Sequence, residues 1–242
     1  MISDAMKEIL EDTMTESEKR TRDEANRRDA EKKLQEVRRR AEQSDLKDRF
    51  INAVRNDNVF TAKSIVDRGL DTSFFDEGLA SHTCNVISNV KSANMLEFLL
   101  GLMNTNNTKH KKVAELFVKE ALYNNKTCPD RIIQLAKERD LSLNPAMEGL
   151  AYQLKHSSAL EVIGLYQELA KAGVRKESFD LEFIARYYSS SKNGTDTEFG
   201  WRDPNPKAAE EAKKVFIAVK ESLATSSKTF SKDYGITDIE RA

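Results

Sequence analysis

The chain runs for 68 residues before its first glycine and for 128 before its first proline. These two residues are the strongest interrupters of helices, and they also supply most of the tight turns that a multi-stranded β protein requires. Only 9 glycines and 4 prolines occur among the 242 residues. The scarcity of turn formers argues against a β-sandwich, a β-barrel or a disulfide-rich scaffold, so the chain is predicted to be all-α.

A charged segment occupies the N-terminal part of the chain. Residues 15–44 contain ten basic and eight acidic side chains, whereas the whole sequence carries a net charge of -1. Acidic residues repeatedly precede basic ones by four positions, as Glu24 precedes Arg28, and each such pair stabilises a helix by roughly 0.2–0.5 kcal/mol. We therefore predict that residues 1–44 form a long, charged, solvated helix.

Two patches on this helix are candidates for binding partners. An apolar stripe at the start of the sequence suits a partner protein or the chain's own body, and an arginine cluster suits phosphate. A coiled coil requires a sustained apolar seam, and residues 15–44 offer only Leu34 and Val37 as sizeable apolar side chains, so no long coiled coil is expected. The candidate partner-binding residues are Ile2, Met6, Ile9, Arg38, Arg39 and Arg40.

The middle of the sequence contains an internal repeat. Residues 68–82 and 139–153 share six identities in fifteen aligned positions without a gap, at an offset of 71. Apolar pairs recur at about half that spacing, in steps of 34, 36 and 34 residues. A period near 35 is typical of proteins built from stacked helix pairs. The apolar pairs are Ile65–Val66, Leu99–Leu100, Leu135–Ala136 and Leu169–Ala170.

This spacing predicts four or five helix pairs after the charged segment, each helix with apolar residues at helical intervals. One such apolar face is assigned to Leu160, Ile163, Tyr166 and Leu169. The predicted pairs are 45–55 with 60–68, 77–90 with 93–103, 109–123 with 129–139, 145–156 with 160–172, and 179–188 with 206–224.

The segment from Phe50 to Ser73 resembles an ankyrin repeat. An ankyrin unit has a small residue on a short first helix, a polar turn, an apolar pair on the second helix, and then glycine and aspartate. The resemblance covers about residues 46–174 and implies a solenoid of stacked helix pairs that binds other proteins. The matching residues are Ala53, the turn of Asn56, Asp57 and Asn58, the pair Ile65–Val66, Gly69 and Asp71.

Several features of the ankyrin family are missing from the chain. No unit has the family's Thr-Pro-Leu-His sequence, and Met103 and Arg139 stand where the glycine of the inter-unit turn belongs. The hairpins of a regular ankyrin stack are therefore expected to be shortened or absent. We expect either a degenerate ankyrin-like repeat or a plainer α-solenoid, with about four to five stacked helix pairs.

No motif for catalysis or metal binding is recognisable. The three histidines and two cysteines lack the spacing of a helical metal site, and no glycine-rich phosphate loop or nucleophile elbow occurs. We predict no catalytic residue, no cofactor and no enzymatic activity. The first residues are acidic where a secretion signal is basic, and no run approaches the ~18 apolar residues of a membrane span. We expect a cytoplasmic protein without a membrane partner.

The C-terminal part of the sequence divides into three segments. A long stretch without a predicted helix holds Trp201, which suits an interface anchor or a residue that pins this loop to the body. An amphipathic helix and a tail follow, and the apolar stripe of the helix consists of Val215, Phe216, Val219 and Leu223. The predicted divisions are 1–44 (charged helix), 45–188 (helical repeats), 189–205 (loop), 206–225 (terminal helix) and 226–242 (tail).

These features favour a non-enzymatic interaction protein or a structural subunit of an assembly. The repeat body presents a concave surface and a loop edge, and the N-terminal helix contacts a second partner or a second copy. The alternative is a protein associated with nucleic acid or ribonucleoprotein, which would contact phosphate through the mixed-charge N-terminal helix. The predicted binding edge consists of the polar stretches 56–58, 89–91, 104–112 and 124–126.

Overall fold

The computed structural model describes residues 15–76, 81–125, 129–194 and 203–226. Within these ranges the chain is all-helical and has no strand, as predicted. Contacts divide the chain into two compact units, Met1–Arg49 and Phe50–Ala242. The predicted partner-binding residues Ile2, Met6 and Ile9, the loop residue Trp201 and the tail after Ser226 lie outside the described residues.

Ten α-helices and three short 3-10 turns account for the described part of the chain. Among these helices, none has the length and apolar character that crossing a bilayer requires. The helices are α1 (Glu16–Arg55), α2 (Val59–Asp67), α3 (Ser81–Ile87), α4 (Ala93–Gly101), α5 (Thr108–Asn124), α6 (Pro129–Glu138), α7 (Asn144–Leu150), α8 (Ala159–Lys171), α9 (Leu181–Asn193) and α10 (Pro206–Ser226). The 3-10 turns are Thr72–Phe75, Ala151–Lys155 and Lys176–Ser178.

Helix α1 is continuous across the point where the sequence suggested a division. The charged helix was predicted to end at residue 44 and a separate repeat helix to begin at 45, but one helix runs through both. The junction contains no glycine or proline that could interrupt it. An ion pair between Arg49 Nε and Asp45 Oδ2, 3.0 Å long, spans the turn that follows the predicted junction.

Helix α9 also continues past its predicted end at Tyr188. It reaches Asn193, so the loop predicted from residue 189 begins later than expected. Ser190 and Ser191 in this extension are buried, and the Ser191 hydroxyl donates to the Tyr187 carbonyl at 2.7 Å. Gly194 then ends the helix in the left-handed conformation, with φ 66°.

Aromatic side chains from α1, the 3-10 turn Thr72–Phe75 and α5 form a buried cluster in the core. The rings of Phe50, Phe74, Phe75 and Phe117 are almost completely buried, as expected for residues that pack between helices. Phe75 meets Phe117 edge to face, with ring centroids 5.9 Å apart, a geometry that the ring quadrupoles favour. The Thr83 hydroxyl is also buried here and donates to the Phe74 carbonyl at 3.0 Å.

The apolar stripe predicted for the terminal helix is confirmed. Helix α10 packs against α8 and α9 and buries this stripe there. The buried residues of the stripe are Val215, Phe216, Val219 and Leu223.

Four helices end in the same kind of turn, with a residue of positive φ. These residues are Asp57 (φ 54°), Gly69 (φ 94°), Asp140 (φ 52°) and Gly173 (φ 93°). Asp140, not Arg139, therefore occupies the glycine position in its turn, and aspartate is one of the few residues that tolerate this conformation. Met103 has no positive φ, so the turn after α4 is of a different kind.

Candidate interaction surface

Three inter-helix turns are linked by hydrogen bonds. Lys91 Nζ donates to the Arg55 carbonyl at 2.8 Å, and the Ser92 hydroxyl donates to Asp57 Oδ1 at 2.6 Å. Asn124 Nδ2 donates in turn to the Val90 carbonyl at 2.9 Å. We call these turns, residues 55–58, 89–92 and 124–125, the turn ridge.

Helix capping explains why polar side chains gather on this ridge. The first residues of a helix have backbone N–H groups without an intrahelical acceptor, and short polar side chains satisfy them. Asn58 Oδ1 accepts from the Thr61 N–H at the start of α2, at 2.9 Å. The Ser92 hydroxyl likewise accepts from the Met95 N–H at the start of α4, at 3.1 Å. The capping side chains therefore accept hydrogen bonds from their own helices, and the Ser92 hydroxyl also donates to the neighbouring turn.

The predicted binding edge is not one continuous surface. The stretches 56–58, 89–91 and the described part of 124–126 lie on the turn ridge. The stretch 104–112 lies elsewhere because it contains the start of α5, whereas Asn124 ends that helix. A helix of 17 residues is about 25 Å long, so the two ends cannot share one patch.

His110, in the stretch 104–112, pairs with Asp76 in a geometry that does not suit a general base. His110 Nε2 contacts Asp76 Oδ1 at 2.5 Å, and His110 Nδ1 accepts from the Asn104 N–H at 3.0 Å. Both ring nitrogens are therefore engaged, and no nitrogen remains to take a proton from a substrate. The pair joins the end of the 3-10 turn Thr72–Phe75 to the start of α5, which is a structural role.

Two exposed apolar side chains stand at helix starts beside inter-helix turns. Phe60, in the first turn of α2, is 85% exposed, and Leu160, in the first turn of α8, is 80% exposed. Leu160 was predicted to lie on the buried face of its helix, and this is wrong. Ser158 and Glu161 form a capping box that starts α8 at Ala159, and this register turns Leu160 away from the core.

A cleft of about 290 Å³ opens beside Leu160. It lies between the end of α5 and the start of α6 on one side, and the 3-10 turn Ala151–Lys155 and α8 on the other. Asn125, the last residue of the turn ridge, also lines it, so the cleft continues the ridge. Its apolar lining includes the buried side chains Leu122, Leu150 and Val162.

The charged side chains among the described lining residues are both carboxylates. Glu161 accepts from the Ser158 N–H at 2.9 Å. Glu168 accepts from Lys171 Nζ at 2.6 Å, and this hydrogen bond raises the pKa of Lys171. Because the Ser158 cap and Lys171 already engage these carboxylates, the apolar floor is the part of the cleft that suits a binding partner.

Tyr123 also lines the cleft, and a hydrogen bond fixes the position of its side chain. Its hydroxyl donates to the Ala146 carbonyl at 2.6 Å, and burial, together with the charges of Glu120 and Glu148, raises its pKa. The hydroxyl is therefore protonated at neutral pH and serves as a fixed donor. Burial also raises the pKa of the Glu120 carboxyl on the same helix.

The arginine cluster on α1 is occupied by a partner within its own helix. Arg39 Nε and Arg40 Nε donate to the two oxygens of Glu36 at 3.0 and 2.8 Å. Hydrogen bonds from these two guanidinium groups lower the pKa of Glu36 to about 2. Two of the three predicted phosphate-binding arginines therefore already bind a carboxylate, and Arg38 is exposed beside them.

No family model, curated protein or solved structure matches this chain. Within the described ranges, no group of three or more histidine, cysteine, aspartate or glutamate side chains is arranged to hold a metal ion.

Proposed function

We propose that the chain is a non-enzymatic protein-interaction module, with the turn ridge and the adjoining cleft as its binding surface. The observation that carries this proposal is the exposure of Phe60 and Leu160 on helix starts beside the turns. Burying a phenylalanine or leucine side chain against a partner contributes about 1.5–3 kcal/mol. The polar turns between them supply hydrogen-bonding groups, as the rim of an interface does.

We also propose that the body is a helical repeat of the degenerate ankyrin-like or α-solenoid kind. Hydrogen bonds between successive turns join residues 36, 35 and 34 positions apart, which agrees with the period of the apolar pairs. The turns after α1, α2, α6 and α8 all close in the same way, since the N–H groups of Asn58, Leu70, Leu141 and Val174 each donate to a carbonyl five residues earlier. Each unit in such a repeat is stabilised mainly by its neighbours.

The N-terminal helix is proposed as a second contact site, for another partner or a second copy. Leu34 and Val37 are 52% and 62% exposed on an otherwise charged helix. Two such residues form a short seam, so they would add to an assembly that other contacts hold together. Nucleic-acid binding receives no support from this geometry because Glu36 engages Arg39 and Arg40.

Affinity purification with cross-linking tests the proposed binding surface. The double substitution Phe60→Ser and Leu160→Ser should remove proteins that the unchanged chain captures, while the unfolding midpoint stays the same. Ile217→Ser is the matched control because Ile217 is 43% exposed on α10, away from the turns. Partners that survive the double substitution but are lost with the control substitution would refute this choice of surface.

A further inference from the structure

We propose that Asn193 is a modification site, whose side-chain amide is lost by deamidation when the junction between α9 and α10 opens. Asparagine is one of the chemically labile residues. Asn193 ends α9 and is followed by Gly194, and this asparagine–glycine step occurs once in the sequence. Glycine has no Cβ to hinder the attack of its own backbone nitrogen on the preceding side chain. The inference concerns the isolated chain and is independent of the proposed binding surface.

Deamidation joins the backbone to the neighbouring side chain and needs only water as a co-reactant. The backbone nitrogen of Gly194 forms a bond to Asn193 Cγ, and the bond from Cγ to the side-chain nitrogen breaks. The proton of the Gly194 N–H goes to the departing nitrogen, which leaves as ammonia. Water then opens the resulting cyclic imide at either of its carbonyl carbons. The products are aspartate and isoaspartate, and in isoaspartate the main chain runs through Cβ and Cγ.

The folded structure holds the attacking nitrogen away from this reaction. The Gly194 N–H donates to the Ser190 carbonyl at 2.9 Å, and this hydrogen bond closes the last turn of α9. Asn193 belongs to the helix, and closure of the imide ring requires it to leave its helical backbone angles. The last turn of α9 must therefore open before Asn193 can react.

The residues that precede α10 hold this turn closed. Gly194 adopts the left-handed conformation and packs so tightly that an added Cβ would collide with the Asp203 carbonyl carbon and the Pro204 nitrogen. The Asn205 N–H donates to the Ser191 carbonyl at 2.6 Å. The last turn of α9 therefore opens when residues 203–205 separate from it.

Either product would hinder the junction from closing again. The new carboxylate adds a negative charge at the C-terminal end of α9, where the helix dipole is already negative. Isoaspartate also inserts one extra main-chain atom before Gly194, which has no space to shift against Asp203 and Pro204. Deamidation at Asn193 therefore makes an opening of this junction irreversible.

Peptide mapping of the full chain by mass spectrometry tests this inference. The chain is incubated in mildly alkaline buffer with and without concentrated urea, and the loss of the Asn193 amide is followed over time. In the folded chain, only the molecules whose junction is open can react, so the rate should be lower than in urea by about tenfold or more.

Two cap variants distinguish opening of the junction from unfolding of the whole chain. Asn205 Oδ1 accepts from the Ala208 N–H at 3.0 Å at the start of α10, and Asn58 Oδ1 makes the same kind of contact at the start of α2. Asn205→Ala should raise the rate in the folded chain about fivefold, the usual effect of one lost cap on an opening equilibrium. The matched control Asn58→Ala should leave the rate unchanged.

Three outcomes would overturn the inference. The first is an equal rate of amide loss at Asn193 in the folded and the urea-unfolded chain, which would show that the junction protects nothing. The second is the absence of amide loss at Asn193 in urea, which would show that this step is not reactive. The third is an equal acceleration by Asn205→Ala and Asn58→Ala, which would assign the reaction to global unfolding.

Discussion

Replacing Gly149 with alanine should destabilise the body, although the substitution usually favours a helix. Gly149 lies in α7, and a Cβ atom on it would stand 2.7 Å from Tyr123 Oη. Tyr123 cannot yield easily, because its side chain is only 7% exposed and its hydroxyl donates to the Ala146 carbonyl. The alanine must therefore displace a buried, hydrogen-bonded ring.

The expected magnitude follows from three contributions. Forcing an extra methyl group into a packed site costs about 1–3 kcal/mol. Separating the buried Tyr123 hydroxyl from its acceptor costs roughly another 1–3 kcal/mol. The gain in helix propensity offsets about 0.5–1 kcal/mol of this. The net loss should be about 3 kcal/mol in the free energy of unfolding, within a range of roughly 1–5.

Urea unfolding followed by far-UV circular dichroism measures this loss. Gly164→Ala is the matched control, since no atom lies within 4 Å of its added Cβ, and it should stabilise the chain by about 0.5–1 kcal/mol. Tyr123→Phe removes the atom with which the methyl group collides, so Gly149→Ala should cost about 1–3 kcal/mol less in that background. Equal costs in the two backgrounds, or a Gly149→Ala chain as stable as the original, would refute the reasoning.

Three further predictions concern charges and backbone conformation. The pKa of Glu36 is lowered from 4.5 to about 2, so the contribution of its carboxylate to α1 is complete above pH 4.5 and is lost as the pH falls toward 2. Between these two pH values, the helicity of Glu36→Gln should therefore decline less than that of the original chain. Glu211→Ala should lower the free energy of unfolding by about 1 kcal/mol because it removes the cap on the Ala159 N–H, and an unchanged urea midpoint would exclude that role. Asp140→Val should cost about 1–2 kcal/mol at its positive φ, whereas Asp140→Gly should be close to neutral, and similar urea midpoints for the two variants would contradict a conformational cause.

Local sequence patterns predicted the helices well because helix boundaries depend mainly on neighbouring residues. The predicted helix 109–123 corresponds to α5, and 206–224 corresponds to α10, each with small differences at the ends. One error, at the end of α9, arose where Ser190 and Ser191 are buried by tertiary packing and lose the exposure that serines usually have. A serine run resembles a loop when only its composition is considered.

The candidate surface was predictable only in part. Polar turns such as 56–58 and 89–91 were recognisable as exposed, but their hydrogen bonds to one another join residues about 35 positions apart. The cleft had no sequence signal of its own. The capping box of Ser158 and Glu161 was the one local clue, since it places Leu160 in the first turn of α8, outside the apolar stripe.

The scarcity of glycine and proline, the ion-paired charge pattern and the recurrent apolar pairs together determined that this chain is helical and roughly where its helices lie. These properties depend on backbone freedom and on contacts between residues a few positions apart, and both can be read directly from the sequence. Tertiary structure alone decided that three turns are joined by hydrogen bonds, that Asp140 has a positive φ and that Leu160 is exposed beside a cleft. Burial and cleft shape depend on which side chains from distant parts of the chain meet, and that is settled only when the helices pack.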